Sequence, residues 1–150
     1  MPQQSEKTMD IVAQAKELAY RAHAGQVDKA GRPYIEHVAR VASRVADDPE
    51  AEAVAWLHDV LEDCAEAFQI ELVETMPDNV MLACMRLDRT GKWDDIYYLQ
   101  LRHNPIALRV KLADIADNAD ESRLALLDET TAARLRKKYA KALAALGHNA

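Results

Sequence analysis

Apolar residues return every third or fourth position along nearly the whole chain, the spacing of helices with one buried face. Ile11, Ala15, Leu18 and Ala22 share a face of a first helix, expected from a cap at Thr8 to about Ala24. "GQVDKAGRP", residues 25–33, breaks the pattern with two glycines and a proline and reads as a loop. A second helix is expected from near Tyr34, turning Ile35, Val38, Val41 and Val45 inward. Asp48-Pro49 is a strong start signal, a capping side chain followed by proline in the first turn, for a third helix ending near Cys64. Shorter helices are expected over 65–75 and over 78–87, the latter capped by Asp78. After a loop over 88–95, a helix should run to about Arg102, a further one from Pro105 through Asn118, and a last one from Glu129 to Leu146 capped by Asp128. The expected fold is all-α, about seven to nine helices in one compact domain over residues 1–150.

One stretch complicates this pattern. "AWLHDVLED", residues 55–63, sets His58, Asp59, Glu62 and Asp63 inside an apolar run. On an unbroken helix at about 100° per residue, Glu62 lies roughly 40° from His58, Asp59 roughly 100° and Asp63 roughly 140°. Val54, Leu57, Val60 and Leu61 then fill the opposite arc, so the simplest reading is a solvated polar face. Two other stretches change it. "PYIEHVARVA" places His37 on a helix just after the Gly/Pro loop, and "VKLADIADN" places Asp114 and Asn118 one turn apart among apolar neighbours. A carboxylate in such company is costly to bury unless it is paired or bound to a metal. Together these stretches supply what His58-Asp59 lacks as a metal site, a second imidazole and a second carboxylate.

Composition narrows the classes. About half of the 150 residues are apolar, and the 4 glycines and 5 prolines are few, as suits a helical protein with a real core. The apolar runs are too short to span a membrane and the N-terminus lacks a signal peptide's apolar segment, so the expected location is cytoplasmic. Cys64 and Cys84 are expected to pack as reduced helix residues. A net charge of −6 argues against a nucleic-acid partner but leaves room for a small anion held by a local basic patch or a metal ion.

His37, then His58-Asp59, then Asp114, at intervals of 21 and 55 residues, resembles the metal-dependent HD phosphohydrolase superfamily. More closely, "AYRAHAGQVDKAGRPYIEH", "AWLHDVLED" and "VKLADIADN" resemble the hydrolase domain of the Rel/SpoT alarmone enzymes of the stringent response and their small stand-alone relatives. The resemblance implies a helical HD fold holding one divalent ion, most often Mn2+, through His37, His58, Asp59 and Asp114. Two imidazoles and two carboxylates equally suit Fe2+ or Zn2+. It further implies Glu62 and Asp63 as the catalytic acids and a small phosphorylated nucleotide as substrate. Glu62 lies on the same side of an ideal helix as His58 and can position or deprotonate water.

The likeness has gaps. Where the alarmone hydrolases carry an arginine that stacks on the purine, this chain has Asp28; Lys29 beside it matches. Val38, Ile115 and Asp120 also depart from the family pattern, whereas Asn118 is retained. Lys29, Arg32, Lys111 and Asn118 are the expected substrate contacts, with Arg89 and Lys92 as further phosphate candidates. The reading implied is a 3′-pyrophosphohydrolase acting on guanosine tetraphosphate (ppGpp) or a similar nucleotide. Alternatives are a nucleotide or NADPH phosphatase, or a non-hydrolytic metal- and nucleotide-binding regulator. Asp28 repels a polyanion, so Asp28→Arg is expected to tighten binding unless Asp28 faces solvent or pairs with Lys29 or Arg32. Tyr20, Trp56, Trp93, Tyr97 and Tyr98 are expected mainly in packing roles, and His23, His103 and His148 have no expected ligand role.

Overall fold

The computed structural model describes residues 3–148, and every regular element among them is helical. Ten helices follow in order: α1 (Gln3–Ala22), α2 (Tyr34–Arg44), α3 (Pro49–Leu57), α4 (Val60–Asp63), α5 (Glu66–Thr75), α6 (Asp78–Leu87), α7 (Asp94–Arg102), α8 (Pro105–Asn118), α9 (Glu121–Leu124) and α10 (Glu129–Ala145). Among the described residues, none of these helices is long and apolar enough to cross a membrane.

α3 is the central strut. It packs against α1, α2, α6 and α8. A helix with neighbours on so many sides must be apolar nearly all round, and Ala51, Ala53, Val54, Ala55, Trp56 and Leu57 are all buried. Three alanines in that run keep its girth small and let the surrounding helix backbones come close. Asp48 starts it by accepting a hydrogen bond from the Glu50 N–H at 3.0 Å, with Pro49 in the first turn. The same grammar starts α8, where the Asn104 side chain accepts from the Ala107 N–H at 3.0 Å before Pro105. Asp128 starts α10, accepting from the Thr131 N–H at 2.8 Å.

Three expectations are corrected. α1 begins at Gln3, so Thr8 lies within the helix and is not its cap. Asp78 is the first helical residue of α6 rather than its cap; that position falls to Pro77. The helix through "AWLHDVLED" is not continuous: α3 stops at Leu57, His58 and Asp59 form a turn, and α4 starts at Val60. Asp59 sits at φ −107 and ψ 0, outside the helical well, so side-chain angles calculated for an unbroken helix do not apply across it. α9 was not expected; the Asp120 side chain starts this single turn by accepting from the Ser122 N–H at 2.9 Å.

The main core runs through α1, α2, α3, α6 and α8, while Leu124, Ala132 and Leu135 form a small separate cluster under α9 and α10, with Leu127 and Tyr139 packed on it. That second cluster walls off one side of the cavity described below. Leu57 is fully buried one residue before His58, so it fixes where α3 delivers the imidazole. Leu57→Ala should lower stability by about 2–5 kcal/mol in chemical denaturation, the range for emptying a buried leucine site. A loss below about 1 kcal/mol would mean that the core closes around the gap and that α3 is not held as tightly as its burial implies.

Candidate metal centre

His37 of α2, His58 of the α3–α4 turn and Asp114 of α8 are buried together, with Asp59 half-buried beside them. One donor atom from each of His37, His58 and Asp59 lies within 4.8 Å of the others. Asp114 joins this group, with Oδ1 2.9 Å from His37 Nε2 and 3.3 Å from His58 Nε2. His58 Nε2 is 3.1 Å from Asp59 Oδ2. The structure thus brings all four expected ligands to one point.

The orientation of the two imidazoles is informative. His58 Nδ1–H donates to the Ala55 carbonyl at 2.6 Å, and His37 Nδ1–H donates to Asp117 Oδ2 at 2.6 Å. With each Nδ1 committed as a donor, a neutral ring carries its lone pair on Nε2. Both Nε2 atoms face the same carboxylate oxygen, so two neutral rings would set lone pairs against an anion. Either protons or a cation must resolve that contact. Without a cation, burial lowers the His58 pKa, but Asp59 and Asp114 outweigh it and hold the ring well above its ordinary value. Burial also lowers His37, and its hydrogen bonds to Asp114 and Asp117 reverse the shift. Two imidazole nitrogens and two carboxylates with fixed tautomers suit a divalent transition ion, and the Nδ1 partners are the outer carboxylate and carbonyl that metal-bound histidines commonly use.

Around these four lies a ring of supporting groups. The Tyr34 hydroxyl donates to Asp59 Oδ2. Lys111 Nζ donates to Asp114 Oδ2 at 3.1 Å, and Asn118 Nδ2 to Asp114 Oδ1 at 3.1 Å. Burial by itself would raise the Asp114 pKa, but Lys111 and the two imidazoles hold it well below the carboxylate range. Asp117 takes Arg40 Nε on Oδ1 at 2.7 Å and Arg123 Nη1 on Oδ2 at 3.0 Å, besides His37. Burial by itself would raise its pKa, but His37 and Arg40 outweigh that and depress it to about 2.

Beside the centre lies a cavity of about 500 Å³ lined by the loop over 25–33, α4, and residues of α2, α8, α9 and α10. The four residues do not line it themselves, but Tyr34 and Asn118, which hydrogen-bond Asp59 and Asp114, do. Glu62 and Asp63 are exposed on its wall, as are Lys29 and Arg32, and Asn118 reaches it too. The Arg89 N–H donates to Glu62 Oε1 at 2.8 Å. Burial, then the neighbouring Asp59 and Glu62, raise the Asp63 pKa to about 6. Lys111, expected at the substrate, instead neutralises Asp114 and does not line the cavity. Neither do Arg89 and Lys92: the Arg89 guanidinium pairs with Asp94 and covers Tyr97, and Lys92 Nζ caps the Met85 carbonyl at 2.7 Å. The cavity's aromatics are Tyr34 and Tyr139; Tyr20, Trp56, Trp93, Tyr97 and Tyr98, expected mainly in packing roles, do not line it. His23 is buried, with Nδ1 2.8 Å from Gln26 Oε1 and its ring packed at a tilt of 44° against Tyr34.

Tyr34, Arg40, Asp117 and Arg123 went unnoticed in the sequence. The first three each lie one helical turn from an expected ligand, Tyr34 and Arg40 on either side of His37 and Asp117 after Asp114, a spacing that would have found them. Arg123 had no such signal.

Asp28 neither faces solvent nor pairs with the Lys29 or Arg32 side chain. Its Oδ1 accepts the Ala30 and Arg32 N–H groups, both at 2.9 Å, and its Oδ2 accepts Arg123 Nη2 at 3.1 Å. It closes the loop's turn, whose Gly31 has φ +83.

No protein-family model matches the chain. A 63-residue stretch is 40% identical to the guanosine-3′,5′-bis(diphosphate) 3′-pyrophosphohydrolase of Vibrio cholerae. The match covers 40% of this chain and 9% of that much longer protein.

Asp28→Arg would remove three accepted hydrogen bonds and set a second guanidinium against Arg123. The earlier expectation of tighter binding is therefore replaced: the substitution should cost about 1–3 kcal/mol of stability, read as a lower melting temperature. An unchanged melting temperature would show that the loop holds its turn without this carboxylate.

Proposed function

We propose that this chain is a divalent-metal-dependent phosphohydrolase acting on a phosphorylated nucleotide, and that it releases pyrophosphate from the 3′ position of guanosine tetraphosphate or a close analogue. The observation that carries this reading is the convergence of two imidazole Nε2 atoms, each with its Nδ1 committed elsewhere, on Asp59 and Asp114. His37, His58, Asp59 and Asp114 would hold one ion, with Mn2+ foremost and Fe2+ or Zn2+ compatible. Bound there, the ion would offset phosphate charge and acidify a water. The similarity to the Vibrio cholerae enzyme over 63 residues supports the choice of substrate class.

Glu62 is the base. The Arg89 N–H holds its Oε1, which leaves Oε2 to accept a proton from the attacking water. Asp63, with a pKa near 6, is partly protonated around neutral pH and can hand a proton to the departing oxygen. Tyr34 orients Asp59 through its hydroxyl. Asp117 and the Ala55 carbonyl fix which imidazole nitrogen is available. Lys29, Arg32 and Asn118 line the cavity where the nucleotide's remaining anionic and polar groups would lie.

Purified protein should carry close to one divalent ion per chain, and chelation should lower its melting temperature by mass action. His58→Ala should lose the ion; elemental analysis showing undiminished metal in that variant would refute the ligand set. Glu62→Gln should keep the ion yet lose about 10²-fold or more in kcat against guanosine tetraphosphate. Wild-type turnover in Glu62→Gln would remove the base from the mechanism. Free phosphate in place of pyrophosphate, measured over a nucleotide panel with manganese, would identify a phosphatase instead.

A further inference from the structure

Asp117 anchors two guanidiniums on the wall of the cavity. Its side chain is 3% exposed and lies on the Nδ1 side of His37, whereas the proposed metal lies on the Nε2 side. Arg40 uses only Nε on Asp117; among the described residues, its two terminal amino groups have no partner, and its side chain is 42% exposed along the cavity wall. Arg123 reaches the same carboxylate from α9 and is braced by Asn118 Oδ1 and Asp28 Oδ2. The cavity lining holds five cationic side chains and three carboxylates, with Asp117 behind Arg40 and Arg123 as a fourth, so cations still outnumber acids there in a chain whose net charge is −6.

We propose that Arg40 and Arg123 form a second phosphate subsite that selects nucleotides phosphorylated at two separate positions. The inference rests on the hydrolase reading above and adds a specificity element to it. A phosphate at the acids and the metal ligands is separated from Arg40 by the width of the His37 ring and the Asp117 carboxylate. One phosphate therefore cannot engage both places, but two phosphates on opposite sides of a ribose can. Arg40 suits the task because a buried carboxylate already fixes its Nε, so little conformational freedom is lost when its fork meets a second anion. Arg123 supplies charge beside it with its own position held on three sides. Lys29 and Arg32, on the exposed loop, add field without comparable anchoring.

The test compares guanosine 3′,5′-bisphosphate with guanosine 3′-monophosphate by calorimetry, with manganese present and Glu62→Gln introduced to suppress turnover. The bisphosphate should bind at least about tenfold more tightly, as a bidentate guanidinium–phosphate contact predicts. Adding Arg40→Gln should shrink that ratio to about threefold or less, with the bisphosphate losing more affinity than the monophosphate even where the loss of a partner for Asp117 weakens both. Arg40→Lys, which keeps the charge and loses the fork, should give an intermediate ratio, and it carries the test should the glutamine variant fail to fold. A ratio indifferent to both substitutions, or a parallel loss of both affinities, would overturn the subsite. A protein that hydrolyses no nucleotide yet shows the Arg40-dependent ratio would sink the proposed reaction and keep the subsite. Hydrolysis with a ratio that ignores Arg40 would do the reverse.

Discussion

Two carboxylates one turn apart on α8, Asp114 and Asp117, bind the two imidazole-bearing segments to one another, and most of the site's geometry depends on them. Burying an anion costs several kcal/mol unless partners replace its hydration. Asp114 receives Lys111, Asn118 and both imidazoles; Asp117 receives His37 Nδ1 and two guanidiniums. The partners from outside α8 arrive on three segments: α2 brings His37 and Arg40, the α3–α4 turn brings His58, and α9 brings Arg123. Apolar packing against α3 brings these elements close, but it is non-directional. The hydrogen bonds of Asp114 and Asp117 set their orientation.

The cavity lining holds more cations than carboxylates although the whole chain is acidic, and within it Asp28 and Arg123 form a pair that is neutral as a unit. In the alarmone hydrolases that this sequence resembles, the loop carries the arginine. Here the loop carries the acid, and the guanidinium comes from α9 to meet it at 3.1 Å. The pair keeps a cation on the cavity wall while moving its point of attachment across the opening. Asp28 read alone as a repulsive charge was therefore misleading, because its field is cancelled by a partner 95 positions away.

Helix starts were legible at Asp48-Pro49, at Pro105 and at Asp128, because capping and the preference for proline in a first turn are local, although the caps at Asn104 and Asp120 went unread. His37, His58, Asp59 and Asp114 were read as a set through the family resemblance, since on the residues alone a solvated polar face was the simplest account of His58 and the acids beside it. The helix boundaries at Thr8 and Asp78 failed because those residues are compatible with both cap and helix interior. The network behind the ligands was not legible in full: Asp117 meets His37 across 80 positions and Arg123 meets Asp28 across 95, and pattern within one helix carries no information on such pairs. Lys111 was misplaced for a related reason. Its basic charge was evident, but whether it would face the cavity or the adjacent Asp114 is decided by the packing of α8 against α7, with its ammonium over the Tyr97 ring.

The break after Leu57 resolves the question that a histidine and three acids inside an apolar run pose. On a continuous helix, neighbouring side chains diverge by about 100°, so His58 and Asp59 could not both face one point. The turn relaxes that limit and brings His58 Nε2 to 3.1 Å from Asp59 Oδ2. It also divides six residues between two environments. His58 stays buried at 4% exposure and Asp59 half-buried, whereas Glu62 and Asp63, on the short α4, stand at the cavity wall with access to water. Groups that would hold an ion gain from rigidity and a low dielectric, where each Coulomb contact is stronger. Groups that would move protons need contact with water and a pKa within reach of neutral pH, which Asp63 has at about 6. A straight helix would have had to choose between these demands, since one polar face is either buried or wet along its length. Interrupting it for two residues satisfies both.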